Sequence, residues 1–143
     1  MKNKRFWIGV ASKNHVLKGV DGGFSQLCHG KAAPLKRMSK GDWIVYYSSK
    51  EDISDKKPYQ FFTAVGEIID DEIYQFDMGN DFVPFRRNVK FHDCLETDIK
   101  PLVPKLSFIE DKKHWGYSFR YGFLEITRAD FIIIWKAMKV KYE

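Results

Sequence analysis

Basic groups are interleaved with aromatic rings at Phe85-Arg86-Arg87, Lys112-Lys113-His114-Trp115 and Arg120-Tyr121. A guanidinium or ammonium group seeks phosphate and a flat ring offers a face for a base, so the pairing is nucleic-acid-binding chemistry. Each also has a plainer reading, a core ring whose neighbour is a surface cation lying over it. Their recurrence within 143 residues favours binding. Gly22-Gly23-Phe24-Ser25 is a further candidate. Two glycines let the backbone approach a ligand and Ser25 can donate or accept at a base edge, while the same residues also suit an ordinary turn.

Catalytic patterns are absent. There is no Gly-rich phosphate loop, no HExxH and no GxSxG. His15, His29, His92 and His114 are scattered, and the adjacent Cys28-His29 cannot by itself make a tetrahedral metal site. No metal, no cofactor and no catalytic set is therefore expected. The acidic run Glu67, Asp70, Asp71, Glu72 suits a solvated turn. A net charge of +5 suits an anionic partner.

The chain length fits one domain with a real core, and 44% hydrophobic with 30% charged residues excludes a largely disordered chain. Aromatic content of 16% exceeds what a small core needs, so some rings are expected to line a cleft. The apolar run behind the basic start is only Phe6 to Ala11, too short for a signal peptide or a membrane span. Cys28 and Cys94 stand far apart without a CxxC. A reduced, cytoplasmic, monomeric protein with no membrane partner is expected.

The elements that must position these groups are mostly strands. Arg5 to Ala11 alternates, Ser12 can cap a short helix ending at Gly19, and Gly41 to Ser48 is a strand entered from a Gly-Asp turn. That central strand puts Trp43, Val45 and Tyr47 on one face and Ile44, Tyr46 and Ser48 on the other. With aromatics on both faces, one is expected on the core and the other on a pocket, preferably that of Trp43 and Tyr47. Further strands are expected over Gln60 to Ile69 and Phe82 to His92, with a turn at Asp70-Asp71. Helical spacing marks Ile99 to Ile109, and Thr127 opens a last helix burying Phe131, Ile134, Trp135 and Met138.

Taken together, the following segments resemble the EVE-domain family. They are Trp7-Ile8-Gly9-Val10, His15-Val16, Gly19-Val20-Asp21-Gly22-Gly23-Phe24, Gln26-Leu27-Cys28-His29-Gly30-Lys31, Pro34-Leu35-Lys36-Arg37-Met38, Gly41 to Ser48, Phe62 to Gly66, Phe85-Arg86-Arg87, Leu106 to Ile109 and His114-Trp115-Gly116. The family lies in the PUA-like superfamily, which also holds the YTH readers of methylated adenine. The resemblance implies an α+β fold for residues 1–143 as a single EVE domain. It also implies a small, mostly antiparallel PUA-like β-barrel with flanking helices, and a pocket for a flipped, modified base of DNA or RNA.

By the same resemblance Phe24 matches a cage ring, with Ser25 beside it and Ser12 and Asn14 near the floor. Tyr74, Phe85 and Trp115 compete for a second ring position. The expected pocket is Ser12, Asn14, Gly23, Phe24, Ser25, Trp43, Tyr47, Phe85 and Trp115, and the expected phosphate contacts are Lys36, Arg37, Arg86, Arg87 and Arg120. One rival is an enzyme resembling the ASCH-branch hydrolases of modified nucleosides, using Thr63 and Glu67 with a lysine. Another is a binder of a free nucleotide or small anionic metabolite.

Overall fold

The computed structural model describes residues 3–142, so Met1 and Lys2 of the basic start lie outside the described residues. In chain order the elements are β1 (Phe6–Val10), α1 (Lys13–Gly22), β2 (Phe24–Ser25), α2 (Ala32–Arg37), β3 (Trp43–Ser48), β4 (Phe61–Gln75), β5 (Phe85–His92), β6 (Thr97–Asp98), β7 (Phe123–Ile126) and α3 (Arg128–Ala137). Short 3₁₀ turns occupy Cys28–Gly30, Lys100–Lys105 and Trp115–Phe119. No helix among the described residues is long and apolar enough to cross a membrane.

Seven strands form one mixed sheet in the order β2-β5-β4-β3-β1-β7, with β6 added beside β4. Only β1 with β3 runs parallel, through Phe6↔Trp43 to Val10↔Tyr47; the other pairings recorded among the described residues are antiparallel. The expected barrel is corrected here. The path starts at β2 and ends at β7 with no ladder joining them among the described residues, so the sheet is open. A two-residue β2 offers too little edge to close it.

The β3 question resolves in favour of two cores. Trp43, Val45 and Tyr47 join Ile8, Phe62, Leu106, Phe131 and Ile134 under α3, while Ile44 and Tyr46 join Trp7, Leu27, Leu35, Ile68 and Val89 under α1 and α2. Every β3 residue is buried. A strand covered on both sides has no face left for solvent, which is why the run is apolar throughout rather than alternating.

Three further expectations shift. Asp70-Asp71 does not turn the chain: between Ile68↔Val89 and Ile73↔Arg87, β4 advances five residues against two on β5, a bulge in a continuous strand. The bulge is tied down by Arg87, which donates to the Asp70 carbonyl at 2.9 Å, and by Asn88, which donates to the Asp70 carboxylate at 2.9 Å. Ile99 to Ile109 yields one 3₁₀ segment, because Pro104 removes a backbone donor. The first helix, capped by Ser12 as expected, runs past Gly19 to Gly22 and ends on left-handed Gly23 (φ 71°).

Gly9 matters for the region described next. A Cβ there would lie 2.7 Å from Leu27 and 2.8 Å from the Tyr46 ring. Its absence lets Tyr46 cross β1 and bond the buried Ser25 hydroxyl, which fixes β2 and the residues after it.

Candidate functional site

The end of β1 leads through Ala11 to Ser12, whose Oγ accepts from the His15 amide at 3.4 Å and starts α1. A helix start of this kind can hold an anion only if its amides are free. Here Lys13 and Asn14 donate instead to the carbonyls of Lys50 and Glu51 at 3.0 and 2.9 Å, so the loop after β3 closes the helix end. Asn14 Nδ2 also donates to Asp52 at 3.1 Å. Bonds from Ser54 and Asn14 hold that carboxyl below its ordinary range.

Beside this corner opens a cavity of about 710 Å³. Ser12, Asn14, His15 and Lys18 form one wall, Gln26 and Cys28 to Lys31 another, with Asp52, Ile53, Phe82 and the Arg120-Tyr121-Gly122 corner completing it. The second wall is held in an unusual backbone: Cys28 (φ 48°), His29 (φ 61°) and Gly30 (φ 81°) are all left-handed. Gly30 is the one position of the three where no side chain could fit, since a Cβ would run into Pro84. Non-glycine residues in this conformation carry strain that the surrounding packing must hold, a feature that clusters at ligand sites.

Two polar groups in this cavity have their roles fixed by neighbours. Gln26 is only 5% exposed, and its Oε1 accepts from Arg86 Nε at 3.1 Å. That bond leaves the Gln26 Nε2 as a donor with no partner among the described residues. His15 Nε2 lies 3.3 Å from the Gln26 carbonyl, which can only accept, so the proton sits on Nε2 and Nδ1 is the acceptor. Gln26 and His15, one with a donor fixed and the other with an acceptor fixed, both line this cavity.

Burial lowers the His15 pKa below its ordinary value, as it does for His92. Both rings bind protons less readily folded than unfolded, so their contribution to stability is complete above the ordinary histidine value near pH 6.5 and declines as pH falls through the depressed folded values. The urea midpoint is expected to be lower at pH 5.5 than at pH 7.5, and His15→Gln is expected to reduce that difference. A midpoint that rises on acidification would contradict this.

A second, more open cavity of about 460 Å³ adjoins the first, sharing Val10 and Arg120 with it. Tyr47, Trp115 and Phe119 line it with Ser49, Gln60 and Lys113. Tyr47 stacks on Phe119 at 4.3 Å and meets Trp115 edge-on at 6.3 Å.

The expected site residues divide accordingly. Ser12 and Asn14 line the larger cavity, Tyr47 and Trp115 the smaller, and Arg120 both. Gly23, Phe24, Ser25, Trp43 and Phe85 line neither. The Phe24 ring is covered by the Arg86 guanidinium at 3.8 Å, Ser25 is engaged with Tyr46, and Phe85 packs on the core under α1 and α2. Trp43 lies at the opposite end of β3 from Tyr47, ringed by His92, Trp135, Tyr142 and Phe131.

Among the cations, Arg87 donates to the carbonyls of Leu35, Met38 and Asp70 and pairs with Asp71 at 3.6 Å, so it serves the fold. Arg37 is exposed and lies over the Trp7 and Phe123 rings, and Lys36 is exposed beside it. Arg86 is different: it is 8% exposed, lies over Phe24 and Phe76, and has no carboxylate partner among the described residues. Thr63 bonds Ser48 at 2.9 Å and Glu67 pairs with Lys4 at 3.8 Å; neither lines a cavity. Gln26, His15 and Lys31 enter the sequence reading through the family segments and not as site residues, because a Gln or His type does not say which of its atoms a neighbour will occupy.

The family model for the EVE domain matches residues 5–137. The chain is 58% identical over 127 residues to the "UPF0310 protein in gntR 5'region" of Bacillus licheniformis, covering 89% of this chain and 86% of that one. It is 44% identical over 138 residues to UPF0310 protein YdcG of Bacillus subtilis, covering 96% and 94%. Among solved structures, the Pho92 YTH domain in complex with m6A superposes with a TM-score of 0.62 at 17% identity, covering 99% of this chain and 89% of that one. Rpa0253 from Rhodopseudomonas palustris gives 0.54 at 20% identity, covering 94% and 93%. At those identities the two structures speak for the fold alone.

Proposed function

We propose that this chain, which belongs to the EVE domain family, binds nucleic acid and takes one base, extruded from its stack and carrying a modification, into the larger cavity. The observation that carries the reading is the Gln26 amide, whose oxygen is taken by Arg86 so that its N–H is open to a ligand, in a cavity that His15 also lines. A donor next to an acceptor is what the hydrogen-bonding edge of a nucleobase requires, since each base edge offers the complementary pair. A ligand carbonyl or ring nitrogen that meets this N–H exchanges a bond to water for one to the ligand, a net gain of about 0.5–1.5 kcal/mol.

Shape and charge support the same reading. Lys18, Lys31 and Arg120 border the cavity and suit the flanking phosphates. A methyl on the base adds only about 0.8 kcal/mol of apolar burial, so discrimination has to come from the edge contacts. The fold is that of a YTH domain solved with m6A, which favours a base over other flat ligands.

The test is a binding panel of free nucleosides and short single-stranded DNA and RNA, modified and unmodified. Saturable binding without product is expected, stronger for oligonucleotides and weakening with salt by a log–log slope of roughly 0.7 per phosphate contacted. Turnover of a nucleoside would establish the enzyme instead. A mononucleotide that binds as tightly as any oligonucleotide would establish a metabolite site.

A further inference from the structure

We infer that the smaller cavity is a second base site, holding the nucleotide next in the strand to the one in the larger cavity, with Arg120 on the phosphate between them. The inference rests on the reading just given and adds a ligand for a cavity that the reading leaves empty. The first ground is proximity: Val10 and Arg120 line both cavities, so the two lie next to one another. The second is the wall itself. Half-buried Trp115 is the accessible ring, backed edge-on by Tyr47, which stacks on Phe119 within the core, and an accessible ring takes a base of a single strand whatever its identity.

The third ground is an unpaired polar atom. The Tyr47 ring is buried, while its hydroxyl has no protein partner among the described residues and the residue borders the cavity, where a ligand can meet it. Burial also pushes the Tyr47 pKa up, so the group stays protonated and can donate. Gln60, whose amide is unpaired among the described residues, borders the same opening and can meet a base edge in either sense.

Arg120 is placed to bridge. Its Nη1 donates to the Tyr117 carbonyl at 2.9 Å, and its guanidinium lies over Tyr117 at 3.8 Å and Tyr121 at 4.5 Å. The residue is exposed and has no carboxylate partner among the described residues, so its remaining donors are open to phosphate. Lys113 supplies a second cation at the smaller cavity. A free anionic metabolite would fit a cationic pocket with a polar wall; the aromatic wall fits a ring attached to a charged backbone.

The experiment uses the intact chain and trinucleotides whose centre is the best-bound nucleoside of the panel, with either flanking base replaced by an abasic sugar. Loss of one flanking base is expected to weaken binding about tenfold, while loss of the other changes little. Trp115→Ala is expected to bring the base-bearing ligand to the affinity of its abasic counterpart, Trp115→Phe to restore the difference, and Tyr47→Phe to lose part of it. Equal affinity for base and abasic flanks in the unaltered protein overturns the second site, and the central-base dependence then stands or falls by itself. Loss of the central base without effect overturns the larger-cavity reading as well.

Discussion

Trp43→Ala is expected to lower the stability of the folded chain by about 3–5 kcal/mol, the usual cost of deleting a large buried ring and leaving a cavity. The urea midpoint should fall with little change in slope. Trp43 is 7% exposed, with His92 at 5.4 Å, Trp135 at 5.1 Å, Tyr142 at 5.5 Å and Phe131 at 6.1 Å between ring centroids. Nothing in that cluster reaches either cavity. Sequence parity places Trp43 with Tyr47 and therefore expects it in the pocket, where its loss would impair binding in a stable protein. A Trp43→Ala chain of native stability with lost ligand affinity would restore that expectation.

Gln26→Glu is expected to act the other way, on binding and not on the fold. The carboxylate keeps an acceptor for Arg86 and gives that buried guanidinium an opposite charge, so stability is retained. The group facing the ligand changes from a donor to an acceptor. A base edge that met the amide N–H then meets a lone pair, and binding of the best oligonucleotide is expected to weaken by about 2–3 kcal/mol, roughly 30- to 140-fold in Kd. Circular dichroism and urea titration check the first half, and anisotropy with a labelled oligonucleotide checks the second. An unchanged Kd would remove Gln26 from the site and with it the main support for a base in the larger cavity.

Arg86 and Arg87 show how far a sequence carries such an argument. Both stand in one basic-aromatic run and both suggest phosphate. On β5 their side chains point to opposite sides of the sheet. Arg87 meets three carbonyls and an acid that lie 16 to 52 residues away in sequence, and becomes a structural tie. Arg86 meets rings and one amide, and becomes the group that orients Gln26. The same division applies to Phe24. Its ring is legible as an aromatic after two glycines, but whether a base or a guanidinium covers it depends on β5.

Elements with strong local signals came through from the sequence. Ser12 and Thr127 cap the helices they were expected to cap, and β3 has the expected division of side chains between its two faces. The bulge in β4 did not, since Asp70-Asp71 carries a turn signal that the ladder to β5 and the bonds from Arg87 and Asn88 override.

By itself the sequence determined the kinds of chemistry available and the identity of the family: an aromatic-rich, basic chain with capped helices, alternating strands and no assembled catalytic pattern. Those properties are local, set by side-chain type, period and turn chemistry within a few residues. The tertiary structure decided that the sheet stays open, that both faces of β3 are core, and that two cavities meet at Val10 and Arg120. It also decided which atom of Gln26 and which nitrogen of His15 neighbours engage. Each of those outcomes depends on contacts between residues distant in sequence, where a hydrogen bond made on one side of a group fixes what the other side can do.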